Sequence, residues 1–244
     1  MNRYYYDLHI HSCLSPCAEN DMTPSNIAGL AALNGLNIVA LTDHNSGKNC
    51  PAFYKAAKNY GVIPVAGMEL TTVEEIHLVC LFPTLEDAMN FSEEIDKRRV
   101  RIKNRKDIFG DQLIMDEEDN VLGEEEDLLP NATTVTLDEA PSLVEKHNGV
   151  CYPAHIDREA NGIIAILGEL PKTPEFSSVE IHDRENTDAY VKDHHLEGKT
   201  VVVSSDAHMI EQLREKENYF DLEDEPYSGD LVRKSLFNRL RGAK

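Results

Sequence analysis

Seven short apolar, β-rich runs separated by helix starts constrain this chain more than any other feature. They lie at Tyr4–His9, Asn37–Leu41, Val62–Ala66, Ile76–Phe82, Gly149–Pro153, Val179–His182 and Thr200–Ser204. Between them, Thr23 precedes Pro24, Pro51 opens a run to Tyr60, Thr84 precedes Leu85, and Thr136 with Glu139 forms a capping box. Strands alternating with helices build a parallel sheet, because each crossover helix returns the chain in the same direction. The expected class is α/β, with the sheet closed as a barrel or open and doubly wound. A chain of 244 residues, 41% of them hydrophobic, has the core for one such barrel.

One segment interrupts the alternation. "DKRRVRIKNRKD" is basic, and "GDQLIMDEEDNVLGEEEDLLP" then alternates apolar and acidic residues around Glu118-Asp119-Asn120. This predicts a hairpin-like lobe inserted at about 103–133 into a single domain over 1–244. The lobe reads as a solvated surface excursion, with a cap over the site or a partner-binding arm as alternatives. Near the C-terminus, Leu231, Leu236 and Leu240 fall close to helical spacing and predict a packing helix.

The formal charge is −20. A broad grip on nucleic acid needs lysine and arginine against phosphates, so this balance argues against extended nucleic acid as a partner. An anionic substrate would then depend on local positive charge, which bound divalent ions supply. The N-terminus lacks a basic region followed by an apolar stretch, so a cytoplasmic location is expected. Cys13, Cys17, Cys50, Cys80 and Cys151 are odd in number and irregularly spaced, as free thiols would be. Residues 22–42 carry no charge, but Pro24, Gly29, Gly35 and three asparagines predict helix, turn and strand there rather than a membrane span.

The chemistry sits at the strand ends. His9 and His11 close the first run, and residues two apart on an extended segment face the same side. His44 follows the second run, Glu69 the third, His77 opens the fourth, His155 ends the fifth, and Asp206 and His208 follow the seventh. In a parallel α/β fold the carboxyl ends of the strands gather on one face, where sites are built. A lone histidine there means little; the coincidence at successive ends points to a cluster. Imidazole and carboxylate together suit zinc, manganese or iron, and more than four such ligands imply more than one ion.

The ordered set His9-x-His11, Thr42-Asp43-His44, Gly67-Met68-Glu69, His77, His155 and Asp206-x-His208 resembles the polymerase and histidinol phosphatase (PHP) family of metal-dependent phosphoesterases. That resemblance runs from about residue 3 to 210. It implies a distorted (βα)7 TIM-like barrel with three divalent ions. His9, His11, Glu69 and Asp206 would hold one; Glu69, His77 and His155 a second; and Glu19, with Asp21 or a water as the alternatives, His44 and His208 a third. Asp43 would orient His44 or a water. The amidohydrolases also begin with His-x-His, but they often use a bridging lysine, and here Glu69 stands in that role.

The activity implied is hydrolysis of a phosphate ester by attack of a metal-activated water, with Arg158, Lys48 or Arg184 steadying the phosphate and His208 or Asp43 relaying a proton. A small phosphorylated metabolite or nucleotide is the expected substrate. A short-oligonucleotide exonuclease and a non-catalytic metal-dependent binding module are the alternatives. His147, His194 and His195 read as surface residues, while His182, two after Glu180, reads equally as structural or substrate-facing.

Overall fold

A computed structural model describes residues 1–242. The chain begins with β1 (Asn2–Asp7), α1 (Pro24–Leu33), β2 (Ile38–Leu41), α2 (Cys50–Asn59), β3 (Ile63–Thr71), β4 (His77–Phe82) and α3 (Leu85–Asp96). The inserted lobe carries α4 (Lys106–Phe109), β5 (Leu113–Met115) and β6 (Val121–Glu124). The second half adds α5 (Ala140–Lys146), β7 (Val150–Pro153), α6 (Ile163–Leu167), β8 (Ser178–Glu180), α7 (Thr187–Asp193), β9 (Thr200–Val202), β10 (Tyr219–Leu222) and α8 (Gly229–Leu240). The helix starts follow their caps: Thr23, Thr84 and Ser228 each accept a backbone N–H from the first turn of α1, α3 and α8.

The main sheet runs β10-β1-β2-β3-β4-β7, and β8 and β9 form a parallel pair. Two seams curl this arrangement into a distorted barrel. On one side Ile156 N–H donates to Glu180 O at 2.9 Å; on the other Ile10 and Ala207 form a parallel bridge, with Asp206 N–H on His9 O at 2.9 Å. All seven sequence runs contribute a strand. The apolar residues divide between the two faces: Val39 and Leu41 join the helix-facing core of α1, α2 and α3, whereas Ile38 and Ala40 share a second core with Val232, Leu236, Phe237 and Leu240 of α8. Leu231, expected in that stripe, is only half-buried.

The expectation of an all-parallel sheet fails at one strand. β4 is antiparallel to both β3 and β7. The connection over 72–76 is a tight turn, closed by Thr72 N–H on Ile76 O at 2.9 Å with Glu75 at φ 63°. A parallel return would need a crossover of roughly a dozen residues or more. The hairpin also lengthens β3 through Thr71, so Glu69 lies inside the strand rather than after it. Because β4 runs backwards, its first residue, His77, arrives on the face where the other strands end. A second departure is β10, which pairs antiparallel with Asn2–Tyr5 and carried too short a pattern to be anticipated.

The lobe is not a free excursion. Leu113 N–H donates to Cys13 O at 2.8 Å, Met115 N–H to Asn49 Oδ1 at 2.9 Å, and Asn45 Nδ2 to Leu129 O at 2.8 Å, so it backs the loops that follow β1 and β2. Its basic run is neutralised locally: Arg99 meets Glu125, Arg101 and Lys103 meet Asp127, and Lys106 meets Glu124, while Lys48, from the loop after β2, also reaches Glu125. Residues 22–42 divide into α1 and β2, and no helix among the described residues is long and apolar enough to cross a membrane.

Candidate metal centre

The strand ends bring His9, His11, His44, Glu69, His77, His155, Asp206 and His208 together. Glu69 is the hub. Its Oε1 lies 2.8 Å from His77 Nδ1, 3.0 Å from His155 Nε2 and 3.4 Å from His9 Nε2; its Oε2 lies 3.0 Å from His44 Nδ1 and 3.4 Å from His11 Nε2. Asp206 Oδ1 is 3.3 Å from His9 Nε2 and 3.2 Å from His11 Nε2. Three sets have all their ligand atoms within 4.8 Å of one another: His9, His11 and Asp206; His44, Glu69 and His77; and His11, His44 and His208.

Hydrogen bonds behind the rings fix which nitrogens face inward. Glu180 Oε1 lies 2.8 Å from His9 Nδ1 and also accepts the backbone N–H of His155 at 3.1 Å. A carboxylate only accepts, so Nδ1 of His9 carries the hydrogen and Nε2 offers its lone pair. Ser15 does the same for His11. Its hydroxyl donates to Asp43 Oδ1 at 2.7 Å, which leaves it to accept from His11 Nδ1 at 2.9 Å and from the His44 backbone at 3.2 Å. His208 Nδ1 donates to Asp206 O at 2.8 Å, again freeing Nε2. Glu180 and Ser15 were not singled out as site residues in the sequence. The buried acid at the end of a strand was the available signal for the first; the serine four residues after His11 carried none.

These atoms fit a cation. His9 Nε2 and His11 Nε2 sit 3.1 Å apart, and Asp206 Oδ1 is buried without any hydrogen-bond donor. Burial opposes charge on His11, but Asp206 and Glu69 push its pKa up to about 9. Burial likewise opposes charge on Glu69, yet His77, His9 and His44 hold it well below the carboxylate range. A site that charges its imidazoles this way calls for positive charge, which protons or divalent ions can supply. His208 differs, being pushed down to about 3 by burial and by His11. The backbone is strained at two members of the cluster, His155 at φ 27° and Asp206 at φ 51°, each costing about 1–3 kcal/mol in general.

The other candidates fall into place around this centre. Glu19 is exposed; its backbone N–H bonds His208 O at 2.9 Å, and its carboxylate is outside the three-histidine set. Asp43 accepts from Ser12 N, Ser12 Oγ and Ser15 Oγ, each at 2.7 Å, which ties it to positioning the His11 loop. Arg158 bonds Asp206 Oδ2 at 2.5 Å and His182 Nε2 at 2.8 Å, so His182 faces the guanidinium rather than the cluster. Lys48 is engaged by Glu125, and Arg184 by Glu217 at 2.7 Å. His147 bonds Glu94 at 2.7 Å and the His194 ring lies tilted against Tyr190, both away from the centre. The mouth of the centre is a pocket of about 170 Å³ walled by Arg158, Ala160 and Asn161.

Removing the carboxylate behind His9 has a defined consequence. Glu180→Gln replaces an obligate acceptor with a group that can present either end, and is expected to weaken metal affinity by about 10–100-fold. Metal titration of the chelated protein checks this; unchanged affinity would mean that His9 does not need Glu180.

A family model for the PHP domain matches residues 7–134. A 77-residue stretch is 34% identical to an error-prone DNA polymerase of Symbiobacterium thermophilum, covering 32% of this chain and 7% of that protein. A 104-residue stretch is 29% identical to a 5'-3' exoribonuclease of Haemophilus influenzae, covering 41% of this chain and 34% of that protein. The lesion-specific endonuclease PfuEndoQ of Pyrococcus furiosus superposes with a TM-score of 0.65 at 20% identity, covering 100% of this chain and 57% of that one. The matched regions thus span about half or less of these proteins.

The expectation of a small phosphorylated substrate, with extended nucleic acid argued against as a partner, is overturned here. Two structures whose folds match over the whole chain are endonucleases: PfuEndoQ, and an Endonuclease Q that holds a 27-mer duplex substrate with an abasic lesion at the active site, with a TM-score of 0.63 and 20% identity. Net charge misled because it sums the whole surface, whereas the field at a phosphate is set by the nearest cations and cationic side chains.

Proposed function

The chain belongs to the PHP family and is a metal-dependent hydrolase, and from that membership we propose that it cleaves phosphodiester linkages of nucleic acid strands. The observation that carries this is the pocket: its floor is the histidine and carboxylate cluster, its wall is Arg158, and its volume of about 170 Å³ suits a phosphate with the flanking nucleosides outside. The names borne by the polymerase, exoribonuclease and endonuclease relatives support the same substrate class. On this reading the chain acts as a single PHP domain over 1–244 with the lobe at about 103–133 as the wall behind the first two site loops. It binds three ions of zinc, manganese or iron and works in a reducing cytoplasm that keeps its five cysteines as free thiols.

Bound divalent ions supply Lewis acidity and lower the pKa of water. The protein's own groups do the rest. Glu69 and Asp206 bring negative charge to the inner ends of the imidazoles, while Glu180, Ser15 and the Asp206 carbonyl hold His9, His11 and His208 in the tautomer that presents Nε2. Arg158, 40% exposed at its side chain and held by Asp206 and His182, offers its remaining N–H groups to a phosphoryl oxygen. Asp43 is saturated by Ser12 and Ser15 and serves orientation rather than proton relay.

The test compares bis-p-nitrophenyl phosphate, p-nitrophenyl phosphate and end-labelled single- and double-stranded oligonucleotides, with chelated and metal-reconstituted protein. Metal-dependent cleavage of the diester and of at least one oligonucleotide is expected. Release of phosphate from monoesters alone would overturn the reading. Arg158→Ala is expected to raise KM for the diester by about 10–100-fold, the worth of one or two hydrogen bonds to a charged group. A fall in kcat alone would mean that Arg158 acts through Asp206 rather than on the phosphate.

A further inference from the structure

Cys80 of β4 and Cys151 of β7 stand directly opposite each other in an antiparallel ladder. Residues opposite in register point to the same face, and here it is the helix-facing one: Leu78, Cys80 and Phe82 belong to that core, and Cys151 packs against it. The rung is of the close type. Ala154 N–H donates to His77 O at 3.0 Å, which makes these two a hydrogen-bonded pair; alternation along the ladder then leaves Leu78 with Pro153, and Cys80 with Cys151, as non-hydrogen-bonded pairs. Pro153, which has no N–H to give, fits that position. Such pairs hold their Cα atoms about 4.5 Å apart, inside the span of about 4.4–6.8 Å that a disulfide bridges. Resting on the metal-dependent reading above, we propose that Cys80 and Cys151 are a redox pair whose disulfide, formed by hydrogen peroxide, loosens the metal centre at His77 and His155.

The two thiols differ in reach. Cys80 is fully buried, and burial together with the Cys151 thiol beside it pushes its pKa well above the ordinary thiol range. Cys151 is half-buried and lines a surface cavity of about 280 Å³ walled by Pro141, Glu145, Phe176 and Arg241. A small oxidant entering there meets Cys151 first. Attack of its sulfur on the peroxide gives the sulfenic acid, and the thiol proton leaves with the displaced hydroxide as water. Cys80 then attacks the oxidised sulfur and expels a second hydroxide, which takes the Cys80 proton. One S–S bond replaces two S–H bonds, each sulfur is oxidised by one electron, and both peroxide oxygens end as water. Reduction returns the thiols, so the pair rests open in a reducing compartment and closes under oxidant.

The same two strands carry part of the metal centre. His77 opens β4 three residues before Cys80, and His155 follows β7 four residues after Cys151, with both rings on Glu69 Oε1 at 2.8 and 3.0 Å. Opposed Cβ atoms about 4.5–5.5 Å apart must close to about 3.5–4.5 Å in the bond. That pull of about 1 Å acts on a packed ladder whose far end sets the spacing of His77 and His155, and a misplacement of this size at a site costs about a hundredfold in general.

The test exposes the full chain, reconstituted with zinc, to hydrogen peroxide and then to a phosphine reductant. Peptide mass mapping without reduction is expected to find a peptide linked through Cys80 and Cys151. Zinc retention on dialysis and diester turnover should fall by about tenfold or more as it forms, and recover on reduction. Cys151→Ser and Cys80→Ala should match the reduced wild type and lose the peroxide response, whereas Cys17→Ser should keep that response. Absence of the linked peptide in the wild type would overturn the redox pair. A linked peptide with zinc retention unchanged, or a loss of zinc that persists in both Cys151→Ser and Cys80→Ala, would overturn its hold on the metal centre. Failure of the reduced protein to bind zinc at all would overturn the metal centre and that hold with it. The linked peptide and zinc retention are read without substrate, so reduced protein that holds zinc but is inert toward diesters would overturn the nuclease reading alone.

Discussion

Glu69→Gln is expected to abolish turnover, by about a thousandfold or more, and to strip metal from more than one position. The reason is the number of contacts that converge on one carboxylate: His77 and His155 on Oε1 at 2.8 and 3.0 Å, His44 on Oε2 at 3.0 Å, and His9 and His11 at 3.4 Å. The glutamine keeps the size and one oxygen but removes the charge and turns the other end into a donor aimed at imidazole nitrogens. A metal-assisted step loses several kcal/mol of charge stabilisation when its site is dismantled, and about 4 kcal/mol is a thousandfold in rate. The chelated protein should suffer too, because Glu69 helps raise the pKa of His11 and His44 to about 9; leaving a buried charge without its partner costs about 3–5 kcal/mol in general. Elemental analysis, diester hydrolysis and urea unfolding of chelated protein check the three parts. Full metal content with more than a tenth of wild-type activity would show that Glu69 is not the hub.

Gly67→Ala is expected to destabilise the fold by about 3 kcal/mol, or to prevent folding, without touching a single site residue. Gly67 lies opposite Leu81 in the β3–β4 ladder, and a Cβ there would stand 2.4 Å from Cys80 O and 2.8 Å from Leu81 Cδ2. Backbone on the far side cannot swing away as a flexible side chain can, so the strands must part; overpacking of this kind costs about 1–3 kcal/mol even where neighbours yield. Parting them also separates Glu69 from His77, which the same hairpin sets 2.8 Å apart. Urea unfolding should show a lower midpoint, and metal affinity should fall with it. Gly123→Ala in β6, where a Cβ would meet nothing within 4 Å, is the control and should stay close to wild type. Equal stability of the two variants would sink the argument from close approach.

Much of this protein is legible in its sequence. The seven runs became seven strands because alternating apolar stretches and capped helix starts are local signals, written within ten or so residues of each other. His9, His11, His44, Glu69, His77, His155, Asp206 and His208 stood out because one residue class recurred at strand ends, and those ends do converge. Glu180 and Ser15 were not legible in the same way. Nothing beside them in the sequence says that His9 is 2.8 Å from one and His11 2.9 Å from the other, since those pairings depend on how β8 closes against β1 and how the loop after β1 turns.

The sequence by itself determined the class of fold and the chemical kind of the site, because strand and helix periodicity and donor-atom chemistry are properties of the residues themselves. Only the tertiary structure decided the reversal of β4, the packing of the acidic lobe behind the site, and which side chains gather around His44 and His208. A tight turn of five residues, 72–76, and a loop tied at Ser15 and Glu19 settle those points, and both act through contacts between segments far apart in the chain. The substrate expectation drawn from a net charge of −20 went astray for the same reason. Charge sums are blind to position, and a phosphate is bound by the few groups within reach of it.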